Sequence, residues 1–205
     1  MTVVNLPSRM WATGAPVLVL LDLQAEYQAE GRAFALEEAG PALANCKRLL
    51  DFCRERRLPV AHHRQILSGP FFNEKTEFSR WLTDFLPRPN EMVFERDQPS
   101  CYSSRPFADF VDAIDEPLLF LAGLTADRAC LATVVEAFHR GHRMFYVHDA
   151  SAAHGVGSRS PGETLEFVTE LVSGFCETLS TKDALDQFER MQHHGRRRAM
   201  QREFV

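Results

Sequence analysis

The 205 residues carry a net charge of −5 and a pI near 5.9, a balance that argues against nucleic acid as the main partner. Apolar residues make up 45% and charged residues 25%, as in an ordinary soluble globule, and no apolar run exceeds strand length, so no segment is expected to span a membrane. The five cysteines, Cys46, Cys53, Cys101, Cys130 and Cys176, are odd in number and lack CxxC spacing, which predicts reduced thiols in a cytoplasmic protein.

Residues 1–15 read as an N-terminal arm with neither the basic start nor the apolar core of a signal peptide. The run VLVLLDLQ then predicts a strand buried on both faces that ends on Asp22 and Gln24, which delivers a carboxylate to the sheet's carboxyl edge. The plainer alternative for Asp22 is a strand-end cap. A polar loop leads to a helix over Glu37–Arg57, with Leu43, Cys46, Leu49, Leu50 and Cys53 on its inner face. Leu58–Arg64 is a second strand, whose adjacent His62 and His63 point to opposite faces and so form no metal clamp.

Residues 68–90 are the least regular stretch, with a short helix expected over EFSRWLTDFL. Phe71, Phe72, Phe78, Trp81 and Phe85 there make either satellite core or a cover over a small-molecule pocket. Glu91–Arg96 is a third strand, followed by DQPSCYSS and a helix over Arg105–Ile114. A fourth strand from Leu118 closes at Gly123, and from Cys130 the period becomes helical through Leu131, Val134, Val135 and Phe138. His142–His148 is the fifth strand, Thr164–Ser173 a helix, Glu177–Ser180 the sixth strand and Thr181–Arg190 the last helix, before a basic tail over 191–205.

Strands alternating with helices predict a single α/β domain over residues 1–205, a three-layer αβα sandwich around a mainly parallel six-stranded sheet. No GxGxxG or P-loop follows the first strand, so no nucleotide cofactor is expected. Asp22, Arg96 and Cys130 converge on one sheet edge in this reading. A thiol at a helix opening meets free backbone N–H groups and the positive end of the helix dipole, both of which favour thiolate. The alternative is a buried cysteine that only packs the helix onto the sheet.

The strand VLVLLDLQ, the turn and helix Gly123–Ala137 with CLATVVEA, and RGHRMFYVHDASAAH together resemble the isochorismatase-like cysteine hydrolases, which include nicotinamidases and N-carbamoylsarcosine amidases. The resemblance implies that Cys130 is a nucleophile, Asp22 its acid/base, and the N–H groups of Ala129 and Cys130 an oxyanion hole. The family's third member is a lysine, and Arg96 stands in its place; arginine stays charged but cannot shuttle a proton. One extra residue separates Gly123 from Cys130 relative to the family spacing. Gln24, Tyr102 and Trp81 are candidates for substrate contact.

The family's metal cluster after the second strand is missing here, so no metal is expected. The implied activity is hydrolysis of a small amide or carbamoyl compound through a thioester. The alternatives are vinyl-ether hydrolysis of isochorismate type, which needs the Asp and no nucleophile, and a binding or oligomeric module with impaired catalysis. The family further implies a homo-oligomer, a dimer or tetramer.

Overall fold

The computed structural model describes residues 16–114 and 116–202, with side chains described through Met191. The expected arm over 1–15 lies outside the described residues. The first strand, β1 (Pro16–Leu21), is buried at every position, as its unbroken apolar run requires of a strand covered on both faces. The others are β2 (Val60–Gln65), β3 (Met92–Arg96), β4 (Leu118–Leu124), β5 (Arg143–Ala152) and β6 (Glu177–Leu179). They form one sheet in the order β3-β2-β1-β4-β5-β6, and every pairing is parallel.

Strand alternation sends Val17, Val19 and Leu21 into one core and Leu18 and Leu20 into the other. The first core is roofed by α2 (Arg105–Asp112), α3 (Leu131–His139) and α4 (Pro161–Val172). The second is closed by α1 (Gly40–Arg56) and α5 (Thr181–Arg202). These three layers match the expected sandwich. The strand order reverses between β1 and β4, and the crevice above that pair is where an open α/β sheet binds ligands.

Gly123 fixes how closely those two strands approach. Its φ is +118°, and a Cβ there would lie 2.3 Å from the Leu21 carbonyl oxygen. Only glycine fits such a backbone contact.

Several boundaries differ from the sequence expectation. The helix expected over 77–86 is two 3₁₀ turns, Glu77–Ser79 and Thr83–Phe85. Between them the chain is extended and bonds to the exit of β1: Ala25 N–H donates to Arg80 O at 2.9 Å and Leu82 N–H to Leu23 O at 2.8 Å. Those tertiary bonds override the local helical pattern. The fourth helix starts at Pro161, three residues early, because Ser160 and Glu163 form a capping box. The last helix continues through Arg202, so the expected tail is helical from 191 to 202.

Candidate active site

Asp22 leaves β1 through a corner with φ of 49°, a conformation aspartate tolerates better than most residues. Its N–H donates to His63 O at 2.8 Å, and its carbonyl accepts from Gln24 N–H at 2.7 Å. Arg96, the last residue of β3, reaches across the end of β2. Its Nη2 donates to Asp22 Oδ2 and its Nη1 to Gln98 O. The carboxylate and cation expected side by side are therefore an ion pair, with both side chains almost wholly buried. Burial raises the Asp22 carboxyl to about 6, against the pull of the Arg96 charge. A carboxyl there changes protonation near neutrality, as a general acid or base requires.

Polar atoms without partners gather around this pair. Asp22 Oδ1 and Arg96 Nε are buried and unbonded, and so is Thr125 Oγ1 just beyond β4. The His63 ring lies stacked on Phe94 and edge-on to Phe107 with both nitrogens unbonded. Burial and the Arg96 charge hold that imidazole neutral. Unmade hydrogen bonds of buried groups are costly, and their concentration at one sheet edge marks a site with polar valences to spare.

Cys130 reaches the same edge by an unexpected route. After the cis peptide Leu124–Thr125, residues Ala126–Cys130 form a π turn that absorbs the extra residue noted in the sequence. Cys130 N–H closes that turn on Thr125 O at 3.0 Å, and Leu131 N–H donates back to Ala126 O and Arg128 O. The backbone donor assigned to Cys130 for an oxyanion is thus already committed. The thiol is fully buried, 3.6 Å from Gly123 O and 3.9 Å from Ser151 Oγ. Burial pushes it well up; the Ser151 hydroxyl pulls the other way, and Cys101 and Asp22 add to the rise. Burial keeps the thiol neutral, against the expected thiolate, and the Cys130 N–H at the helix opening is spent on Thr125 O. Ala129, beside it, is buried against the first core.

The side chains of the three candidates for substrate contact have other partners. Gln24 commits its amide to backbone, donating to Gln65 O at 3.0 Å and Ser79 O at 2.9 Å while accepting from Gln65 N–H at 2.9 Å. It pins the ends of β1 and β2 to the aromatic segment. Trp81 packs edge-on to His62 and beneath Arg64, on the sheet face opposite Arg96. Tyr102 donates to or accepts from His142 Nδ1 at 2.9 Å, under the Arg140 guanidinium, at the amino end of β5.

Residues not singled out in the sequence also act on the pair. Tyr27 is buried within electrostatic reach of both Asp22 and Arg96, and Cys101 feels Arg96 most among its charged neighbours. Ser151 was legible only as part of the Asp-Ala-Ser end of β5. In the segment over 68–90, Phe72 and Phe85 are core, while Phe71 and Phe78 remain partly exposed around Arg32. Among the described residues, no three His, Cys, Asp or Glu side chains are placed to share a metal ion.

Comparison with known proteins finds the same fold. The family model described as the isochorismatase domain matches residues 16–183. An isochorismatase of Bacillus subtilis (strain 168) is 23% identical over 187 residues; the match covers 84% of this chain, which spans only 58% of that relative's length. Among solved structures, a protein of Chromobacterium violaceum designated a hydrolase of the isochorismatase family superimposes with a TM-score of 0.79 at 21% identity, covering 87% of this chain and 96% of that one. The N-carbamoylsarcosine amidase of Thermoplasma acidophilum gives 0.64 at 20% identity, covering 81% and 96%.

Proposed function

This chain belongs to the isochorismatase family of hydrolases, and we propose that it cleaves the C–N bond of a small amide or carbamoyl compound. The observation that carries the reading is the sealed Asp22–Arg96 pair beside Cys130, with a carboxyl raised to about 6. Above that pH Asp22 is ionised and able to take the thiol proton as Cys130 attacks the carbonyl carbon. The tetrahedral intermediate collapses to a thioester as the amine leaves with a proton. Water activated by Asp22 then releases the acid and restores the thiol. The N-carbamoylsarcosine amidase among the similar structures supports this substrate class.

A second reading has its own support. The thiol is neutral and faces Gly123 O and Ser151 Oγ, and the Cys130 N–H is spent in the π turn. Asp22 in its protonated form would then act alone as the acid on a vinyl ether, as expected for isochorismate chemistry. Cys130→Ala separates the two. Ammonia or amine release from a panel of small amides should fall at least ~10³-fold, and mass spectrometry of the parent under rapid quench should find an acyl adduct on Cys130. Turnover undiminished in Cys130→Ala would remove the thioester and leave Asp22 as the reacting group.

The five unpaired thiols fit a reducing, cytoplasmic setting. No helix among the described residues is long and apolar enough to cross a membrane. A homo-oligomer belongs to the same reading, since Phe138, Phe167, Leu171 and Phe175 expose an apolar face along α3, α4 and the turn after it. Light scattering is expected to give a mass at least twice 23 kDa at micromolar concentration, and a monomer would discard the idea.

A further inference from the structure

Three segments around the candidate site meet at one histidine. His154, just past β5, donates its backbone N–H to Asp127 Oδ1 in the π turn at 3.1 Å. Its ring Nδ1 lies 3.4 Å from Asp127 Oδ2, and its Nε2 lies 3.1 Å from the carbonyl oxygen of Phe34. Carboxylate and carbonyl oxygens only accept, so both contacts are hydrogen bonds only when both ring nitrogens carry a proton. A neutral ring that keeps Nδ1–H on Asp127 turns a lone pair toward the Phe34 oxygen.

Phe34 is itself a junction. Its ring meets Phe71 edge-on and Phe72 at a tilt, each with centroids 5.1 Å apart, and the Arg128 guanidinium lies 5.1 Å over it. We propose that His154 is a positioning residue which, while doubly protonated, clasps the aromatic segment around Phe34 to the π turn that leads into Cys130, and which releases that segment on losing its proton. The ionisable groups facing the ring are Asp127 and Arg128 from the π turn and Tyr27 from the segment after β1. Asp127 favours the charged ring and Arg128 opposes it.

The Asp127 hydrogen bond, against burial, raises His154 above its ordinary 6.5. The clasp is therefore fully made below about 6.5 and is lost as pH rises through the higher folded-state value. Because it rests on Asp127, His154 and Phe34 alone, the clasp stands or falls independently of the proposed reaction.

The test is hydrogen exchange of the Ala35 and Leu36 amides, which bond to Arg32 O and Tyr27 O in the segment that carries Phe34. It is run against pH with correction for intrinsic rates, beside ¹⁵N spectra of the ring. In the parent, both ring nitrogens should be protonated at pH 6, and amide protection should drop several-fold as the ring titrates. His154→Gln should show no such step, and Asp127→Asn should move it to lower pH. A singly protonated ring at pH 6, or a step of equal size in His154→Gln, overturns the proposal. Should His154→Gln fail to fold, a step left at the parental pH in Asp127→Asn overturns it equally.

Discussion

Asp22→Asn is expected to lower kcat/KM by ~10²–10⁴-fold, the usual worth of a positioned acid or base, without lowering the stability of the fold. The two effects separate for a physical reason. Removing one partner of a buried ion pair ordinarily leaves the other charge stranded. Here, however, Asn keeps an oxygen that accepts from Arg96 Nη2, and Arg96 also holds the Gln98 carbonyl.

The titration of Asp22 points the same way. Its folded value of about 6 lies above its ordinary 3.8, so the folded state binds the proton more tightly than the unfolded chain does. The parent therefore loses stability as pH rises from about 4 to about 6, and that loss persists at neutral pH. Asn does not titrate and escapes it. Urea unfolding at pH 7.5 should place the Asn midpoint at or above the parent's, with any gain, on the order of 1–3 kcal/mol, fading as pH falls toward 4. A variant whose activity falls only in proportion to its folded fraction would make Asp22 a structural residue.

How far this site is legible in the sequence depends on what each residue's neighbours do. The sheet and most helices follow from period alone, since a parallel strand covered on both faces leaves an unbroken apolar run, as in VLVLLD. Asp22 was legible because it follows such a run, and Arg96 because it ends the edge strand β3. Cys130 was legible as a position and not as a chemical state. Its protonation depends on burial, opposed by the Ser151 hydroxyl, and a π turn leaves no periodic trace.

The partners of Gln24 and Trp81 were hidden for a related reason. A side chain at the correct sequence distance can spend itself on backbone or turn to the other sheet face, as Gln24 and Trp81 do. The helix lost at 77–86 was outvoted by hydrogen bonds to residues more than fifty positions earlier. His154 was invisible because its partners, Asp127 and Phe34, are far from it in the chain.

Arg96 decides between the two reactions, because the same substitution moves them in opposite directions. Its Nη2 holds Asp22 Oδ2 while its Nη1 is anchored on Gln98 O, so the charge is fixed against the carboxylate. Arg96→Ala removes that charge and is expected to raise the Asp22 pKa by ~1–3 units from about 6. If Asp22 works ionised, taking the Cys130 proton, activity climbs with pH through the Asp22 titration. The climb moves upward in Arg96→Ala, and kcat/KM at pH 7 falls, by about tenfold for a shift of two units. If Asp22 works protonated, activity descends through the same titration, and Arg96→Ala extends it to higher pH.

Arg96→Lys should keep most activity in either case, because an ammonium can reach Asp22, although it cannot hold the Gln98 carbonyl in the same fork. A full pH–rate profile of the parent and both variants gives the direction of the limb and its displacement together. An unmoved limb in Arg96→Ala would detach Arg96 from the chemistry and leave its bond to Asp22 as packing.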